Sequence, residues 1–246
     1  MAGILKVDQI QNTAGVNIMD LQNDKLQIWN GSGYSDMATP GALIGIQVYT
    51  SQDGTWSGRS TSGGSGTWTK PSGCNHVLVY VTGGGGGARC NDNSYRGAGG
   101  GGGATSIKYI DVSSVASVTY QYGGGGAYVR NGGRAGTGGT SSFGSYCTAT
   151  GGQGGQSDNP HQGGPGGNAS GGDINVPGGG GEMAHDANRE GAGGSSYWHK
   201  AGSSHHYYNN QEEITHGQWG SGGGYGYYSQ NDFAYNNSNG GAGCVI

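Results

Sequence analysis

Seven histidines, fifteen carboxylates and four cysteines are the side chains of this 246-residue sequence whose types could do chemistry. Glycan hydrolysis needs two carboxyl groups facing each other across a groove. Asp173, Glu182, Asp186, Glu190, Glu212 and Glu213 supply carboxyls, but their spacing defines no pair, so depolymerisation of a host polysaccharide stands only as the enzymatic alternative. His199, His205, His206 and Glu212 are metal-ligating types at a spacing that matches no zinc pattern, and they read as exposed or hydrogen-bonded groups. Cys74, Cys90, Cys147 and Cys244 lie far apart without a CxxC pair; they read as small buried hydrophobes, and their spacing assigns no disulfide. A phosphate loop requires GxxxxGK[ST] between a strand and a helix, and no glycine run here ends in Gly-Lys. The expectation is therefore no catalytic residue, no metal site, no cofactor and no enzyme activity.

What the sequence does concentrate is aromatic side chains. Tyr197, Trp198 and His199 share one insert with His205, His206, Tyr207 and Tyr208. Trp219 precedes a second insert that carries Tyr225, Tyr227, Tyr228, Phe233 and Tyr235. Aromatic rings give large contact area at low entropic cost, Tyr and Trp add a polar handle, and neighbouring Asn, Ser and Gln add adaptable hydrogen bonds. Ring faces also stack on sugars. These residues are the candidates for binding a surface receptor. The competing reading is that the rings pack over glycine as a small core, which a chain poor in aliphatics needs.

The elements that must position them are unusual. Glycine supplies 60 residues, against an ordinary usage of roughly 7%. Charged residues are 11% and the net charge is −4, while 16 Tyr and 5 Trp are present. Disordered chains carry high net charge and few aromatics, so this composition points to an ordered chain held largely by its backbone. Collagen is excluded, because the glycine runs at 83–87, 99–103 and 123–126 break a three-residue period and only 5 prolines occur. Lys and Arg total 11 and are scattered, which gives no electrostatic footprint for nucleic acid. No apolar stretch reaches the roughly 20 residues that span a bilayer, so no membrane insertion is expected. The first residues lack the basic and apolar regions of a signal peptide, so synthesis in a cytoplasm and release by lysis are expected.

Three zones follow. Residues 1–40 hold short apolar clusters separated by Asn, Gly and Asp, and read as an arm of short strands, too small for its own core without oligomerisation. Residues 41–150 carry the clearest strand signals. These are 43–49, 76–81 (almost continuously apolar, as for a strand buried on both faces), 106–112, 118–122 and, more weakly, 142–148. In 106–112 the alternation puts Ile107 and Tyr109 on one face and Lys108, Ile110 and Val112 on the other. Residues 151–246 alternate glycine runs with polar, aromatic-rich inserts and close on Cys244-Val245-Ile246, a candidate last strand. A structureless loop of that length is improbable in a compact domain. Polyproline-II-like glycine helices are the natural alternative, since their backbone groups are all free to bond neighbours and no Cβ keeps them apart. The predicted fold is all-β: an oligomerising N-terminal arm, then a glycine-rich β-sandwich with polyglycine-II-like segments and long tip loops.

Three segments carry a resemblance. Gly66-Thr67-Trp68-Thr69-Lys70-Pro71-Ser72-Gly73, followed by Val77-Leu78-Val79-Tyr80-Val81-Thr82 and the glycine run at 83–87, resembles the start of the glycine-rich domain of bacteriophage tail fibres. Gly139-Thr140-Ser141-Ser142-Phe143-Gly144-Ser145 with Ala149-Thr150-Gly151-Gly152 is similar to a later segment of that domain. Ile4-Leu5-Lys6-Val7-Asp8-Gln9-Ile10-Gln11-Asn12 resembles the opening of fibre proteins of cyanophages and other aquatic phages. After Thr150 the likeness is one of style, to the polyglycine adhesins that cap the long tail fibres of T-even-like phages. The resemblance implies a homotrimeric virion protein. Its arm would join phage tail or baseplate proteins, and its tip loops would bind a bacterial surface glycan or outer-membrane protein. A baseplate-proximal fibre without receptor contact, or a non-viral glycine-rich matrix protein, are the other structural readings.

Overall fold

A computed structural model of the chain describes residues 9–11, 17–22, 25–29, 34–36, 43–51, 61–91, 96–130, 133–156, 162–183, 191–200, 217–224 and 239–246. It divides into two compact units, Met1–Gly45 and Ile46–Ile246. In the first, β1 (Gln9–Gln11), β2 (Asn17–Gln22), β3 (Lys25–Trp29) and β4 (Tyr34–Asp36) form an antiparallel meander in sequence order. The β2–β3 register runs from Met19 opposite Ile28 to Gln22 opposite Lys25.

The second unit contains the remaining strands: β5 (Tyr49–Thr50), β6 (Gly64–Thr69), β7 (His76–Thr82), β8 (Arg89–Asn91), β9 (Arg96–Ala98), β10 (Thr105–Asp111), β11 (Ser117–Tyr122), β12 (Val129–Arg130), β13 (Ser141–Phe143), β14 (Cys147–Ala149), β15 (Ala169–Ser170), β16 (Ile174–Val176) and β17 (Cys244–Val245). Two antiparallel five-stranded sheets, β16-β10-β7-β17-β5 and β15-β14-β13-β11-β6, pack face to face. No α-helix or 3-10 helix occurs among the described residues. The fold is all-β.

Alternation along the strands makes the core. Val79 and Val81 of β7, with Ile110 of β10, point inward against Trp68, Val118, Phe143 and Cys147 of the other sheet. The rings of Trp68 and Phe143 meet edge-on at 5.8 Å. Each large side chain buried this way contributes about 1.5–3 kcal/mol. The predicted faces of β10 hold, with Ile110 and Val112 inward and Tyr109 outward. β7 departs from its predicted double burial. Leu78 is 53% exposed, because only one face of its sheet is covered by the chain's own second sheet. The run at 43–49 reaches a sheet only at Tyr49, the first residue of β5.

Between strands the chain passes repeatedly through glycine. In 83–87 the N–H groups donate in rotation to three neighbours. Gly83 bonds Ala104, Gly84 bonds Gly139 and Gly85 bonds Gly241; Gly86 then returns to the first neighbour at Gly101 and Gly87 to the second at Gly136, all at 2.8–3.0 Å. Facing the same neighbour at every third residue is the period of a polyproline-II helix, which has no internal hydrogen bonds. The carbonyls of the same segment accept from three others, through Gly126, Gly152 and Gly223. Segment 99–104 repeats the pattern. It donates in turn to Glu182, Gly223, Gln153, Gly179, Gly220 and Thr150, and accepts from Gly86, Gly164 and Gly194.

These two segments are the centres of a hexagonal lattice. Each is bonded on six sides, and the other eight segments surround them. The ring follows sequence order: 123–127, 135–139, 150–155, 163–167, 178–182, 191–195, 220–224 and 239–243. Gly240 and Gly243 close it by donating to Gly126 and Gly123. The result is three layers of three, four and three helices. Apart from Gly220, none of the lattice glycines has positive φ, which gives the helices the polyproline-II hand. The lattice is not confined to residues after Thr150. Its two centres and its first rim helices lie before it, interleaved with sandwich strands.

Direction is set by the bonding registers. Partner numbers run oppositely between successive helices, as in Gly83 to Ala104 and Gly86 to Gly101, so the chain reverses at every step. Successive connections therefore alternate between the two ends of the lattice. One end carries the sandwich. Connectors 88–98, 128–134, 156–162, 183–190 and 225–238 leave from the other, which we call the distal end. Glycine is obligatory inside: a methyl on Gly85 would fall on the Ser221 carbonyl, and one on Gly101 on the Pro165 carbonyl.

Candidate functional site

The distal connectors stand on pinned bases. β8 and β9 form a hairpin in connector 88–98, and β12 lies parallel to β8. Arg89 is buried, and its Nε donates to the Gly133 carbonyl at 2.9 Å. Arg134 Nη1 donates to Gln153 Oε1 at 2.7 Å. The Gln156 N–H donates to the Gln162 carbonyl, closing the base of connector 156–162. Connector 183–190 is closed likewise by the Glu182 N–H on the Ala192 carbonyl, and an isolated bridge joins Met183 to Ala98. The Tyr128 N–H donates to Asn239 Oδ1, tying connector 128–134 to the base of 225–238 and leaving the Tyr128 ring half-exposed.

The sequences of the distal connectors hold most of the arginines. Arg89, Arg96, Arg130, Arg134 and Arg189 all fall in them, and Arg59 is the one remaining arginine of the sequence. Asp92, Asp158, Asp186, Glu190 and Asp232 belong to the same connectors in sequence and lie outside the described residues. The signal was available: counting glycine segments along the chain assigns each connector to an end.

Connector 196–219 leaves from the sandwich end instead. Ser196 Oγ accepts the His199 N–H at 3.1 Å and donates to the Trp219 carbonyl at 2.7 Å, fastening the two ends of the insert to each other. Trp219, at φ 46°, and Gly220, at φ 81°, take consecutive left-handed conformations. A bulky residue in that region is unusual, and the Ser196 bond holds it there. Trp198 Nε1 donates to Thr82 Oγ1 at 2.9 Å, and Thr82 Oγ1 in turn lies 2.8 Å from Thr105 Oγ1. The Tyr80 ring contacts Trp198 at 5.2 Å and Tyr197 at 6.1 Å, while Tyr197 and Trp198 meet edge-on. His199 Nδ1 is 2.6 Å from the Lys200 carbonyl. Beneath the Trp198–Thr82 contact, burial pushes the Cys244 thiol up to about 12.

Ionisable groups elsewhere serve local structure. The Asp173 carboxyl is held below its usual range by the Tyr109 N–H and by Lys108, whose Nζ is 3.5 Å away. Asp111 is held low by Ser113. Among the described residues, no group of three His, Cys, Asp or Glu side chains could hold a metal ion.

A family model described as a glycine-rich domain matches residues 59–245. The chain belongs to that glycine-rich domain family. No curated protein matches it. The matched span takes in both five-stranded sheets apart from β5, and every helix of the lattice. In this glycine-rich domain the candidates divide by end. Tyr197, Trp198, His199 and Trp219 are at the sandwich end, where Trp198 and Trp219 are engaged in structure while Tyr197 keeps half its surface exposed. Tyr225, Tyr227, Tyr228, Phe233 and Tyr235 belong to the connector anchored between Gly224 and Asn239 at the distal end, and lie outside the described residues. His205, His206, Tyr207 and Tyr208 also lie outside them.

Proposed function

We propose that the protein is a structural and adhesive virion component, a tail fibre of a tailed bacteriophage, with the distal connectors of its lattice meeting the host surface. The observation that carries this reading is the sorting of connectors. Five leave one end of a lattice locked by backbone hydrogen bonds, and the chain enters the domain at β5 on the opposite, sandwich end. Binding loops on a rigid scaffold keep their geometry while their sequences change. The five carry Tyr95, Tyr128, Tyr225, Tyr227 and Tyr228 among Asn, Ser, Gln and Arg, a composition suited to a glycan or outer-membrane receptor. The fibre assignment draws its support from the segments at 4–12, 66–87 and 139–152 that resemble phage fibres. In this reading residues 1–40 join the tail or baseplate, the fibre is homo-oligomeric, and the chemistry is binding without turnover.

Replacing 225–235 by the corresponding loop of a relative with another host should redirect cell binding, measured by fluorescence of labelled protein on both hosts. The same exchange at 197–208 should leave the host unchanged. Unaltered host preference after the distal exchange overturns the reading. Purified host polysaccharide should be bound and keep its chain length; shortening would establish a depolymerase instead.

A further inference from the structure

Two tyrosines from opposite sheets lie face to face. The ring centroids of Tyr49 in β5 and Tyr120 in β11 are 3.9 Å apart, with 22° between the planes. Aromatic pairs ordinarily sit about 4.5–7 Å apart and avoid full overlap, because their π faces carry like charge. Here the backbone holds both rings in place. Tyr49 pairs with Val245, and the next residue's Thr50 Oγ1 donates to the Gly243 carbonyl at 2.9 Å. Tyr120 faces Gly66 across the β6–β11 register, and a Cβ on Gly66 would fall on the Tyr120 hydroxyl. The absent side chain leaves room for the Tyr120 ring over β6. Both rings are half-buried and pack against the sandwich core.

The chemistry open to two phenols in this arrangement is oxidative coupling. A one-electron oxidant, such as a peroxide-derived radical, takes one electron from each phenol. Each phenol also loses its proton to water and becomes a phenoxyl radical. The unpaired electron resides partly on the ring carbons ortho to the oxygen, in orbitals perpendicular to the ring. Overlapping faces aim these orbitals at each other, and holding them so removes the encounter step. A carbon–carbon bond forms between two ortho carbons. The hydrogen on each of those carbons then moves to its own ring's oxygen, which restores both phenols. The net change is the loss of two hydrogen atoms, as two electrons to the oxidant and two protons to water. Tyr49 Oη donates to Gln47 Oε1 in an exposed hydrogen bond, which gives its proton a route to solvent. Tyr80 and Tyr197, by contrast, are 6.1 Å apart at 36° and lack this overlap.

We propose that Tyr49 and Tyr120 form a modification site, at which one-electron oxidation joins them as a dityrosine within one chain. The bond ties β5, a two-residue strand at the edge of its sheet, to the second sheet. The chain enters the domain at β5, so the link fastens that entry. A cross-link between residues far apart in sequence restricts the unfolded chain, as a disulfide does. Cys74, Cys147 and Cys244 are free thiols, so none of them supplies such a restraint. The inference rests on neither the fibre reading nor the receptor reading.

Dilute full-length protein, flashed with light beside a ruthenium tris-bipyridyl complex and persulfate, should gain dityrosine fluorescence. On a denaturing gel the fluorescent product should keep the mass of a single chain. Digestion should yield the Tyr49 and Tyr120 peptides joined, lighter than their sum by two hydrogen atoms. Tyr49→Phe and Tyr120→Phe should each lose most of the single-chain fluorescence, whereas Tyr80→Phe should keep it. Phenylalanine preserves each ring of the stack. Tyr49→Phe alone decides should Tyr120→Phe, which removes the hydroxyl over Gly66, perturb folding. The joined protein should melt about 10 °C above the unjoined one. Links that join other tyrosines, or one chain to another, with none between Tyr49 and Tyr120, overturn the proposal. So does single-chain fluorescence retained in folded Tyr49→Phe. An unchanged melting temperature in the joined protein overturns the fastening of β5.

Discussion

In the sandwich, Trp68, Phe143, Val79 and Val81 exclude water from one another, and the backbone is bonded along its strands as a consequence. In the lattice the order is reversed. Backbone groups bond on six sides of 83–87 and of 99–104, and the absence of side chains is what lets the segments come close enough. The first region gains from area removed from water, the second from satisfying every donor and acceptor without a core. The two fail differently. A sandwich position tolerates a smaller side chain at the cost of a cavity, whereas an inner lattice glycine has a backbone carbonyl where a methyl would go.

The largest expected effect is in the sandwich. Phe143→Ala removes a ring that packs on Trp68 and Tyr146, and should lower stability by about 3–5 kcal/mol in denaturant unfolding. A loss well under 2 kcal/mol would mean that the lattice, not the core, holds the unit. Next, Gly101→Ala drives a methyl onto the Pro165 carbonyl and should cost about 3 kcal/mol. Gly180→Ala sits where the nearest atom is 3.9 Å away and should stay within about 0.5 kcal/mol. Equal effects at the two glycines would contradict the lattice geometry.

The joint between the regions is smaller but sharp. Ser141 Oγ accepts the Gly123 N–H at 2.9 Å and donates to the Thr82 carbonyl at 2.6 Å, at a buried position. Ser141→Ala leaves both backbone groups without that partner and should cost about 1–3 kcal/mol. It should also speed amide exchange at Gly123, read by hydrogen–deuterium exchange.

The weakest effect is alkaline. Burial pushes the Cys147 thiol up from 9.0 to about 11 and the Cys244 thiol to about 12. The folded state therefore holds these protons where the unfolded state releases them. Their stabilising contribution is complete below pH about 9 and declines as pH rises through the folded values, by roughly 1 kcal/mol per pH unit for each thiol. Melting temperatures should fall above pH 9, and fall less in Cys147→Ala and Cys244→Ala. At pH 8 neither thiol should react with a disulfide reagent until the protein is unfolded.

Much of this was legible in residue order. The alternation in 106–112 placed Ile110 and Val112 in the core and Tyr109 outside, as β10 does. The centres of the lattice coincide with the two five-residue glycine runs, 83–87 and 99–103, because a Cβ at any of those positions would fall on a neighbouring backbone carbonyl. Rim helices accept one residue of another kind, as in Gly-Thr-Gly at Thr137, Gly-Gln-Gly at Gln153 and Gly-Pro-Gly at Pro165, since a three-residue period keeps one side free. Composition alone does not separate the two kinds of element, because strands and glycine helices alternate through the domain and each is short.

The sequence by itself determined that this chain is all-β, that glycine replaces a conventional core over much of its length, and that its aromatic residues cluster between glycine runs. Those follow from local period and from what each residue can physically pack against. Only the tertiary structure decided which connectors share an end. That separated Tyr197 and Trp198 from the connector holding Tyr225 and Tyr235, and placed Arg89 and Arg134 at the distal end. These depend on the antiparallel reversal of each successive helix and on long-range register, and both come from hydrogen bonds between residues far apart in the chain.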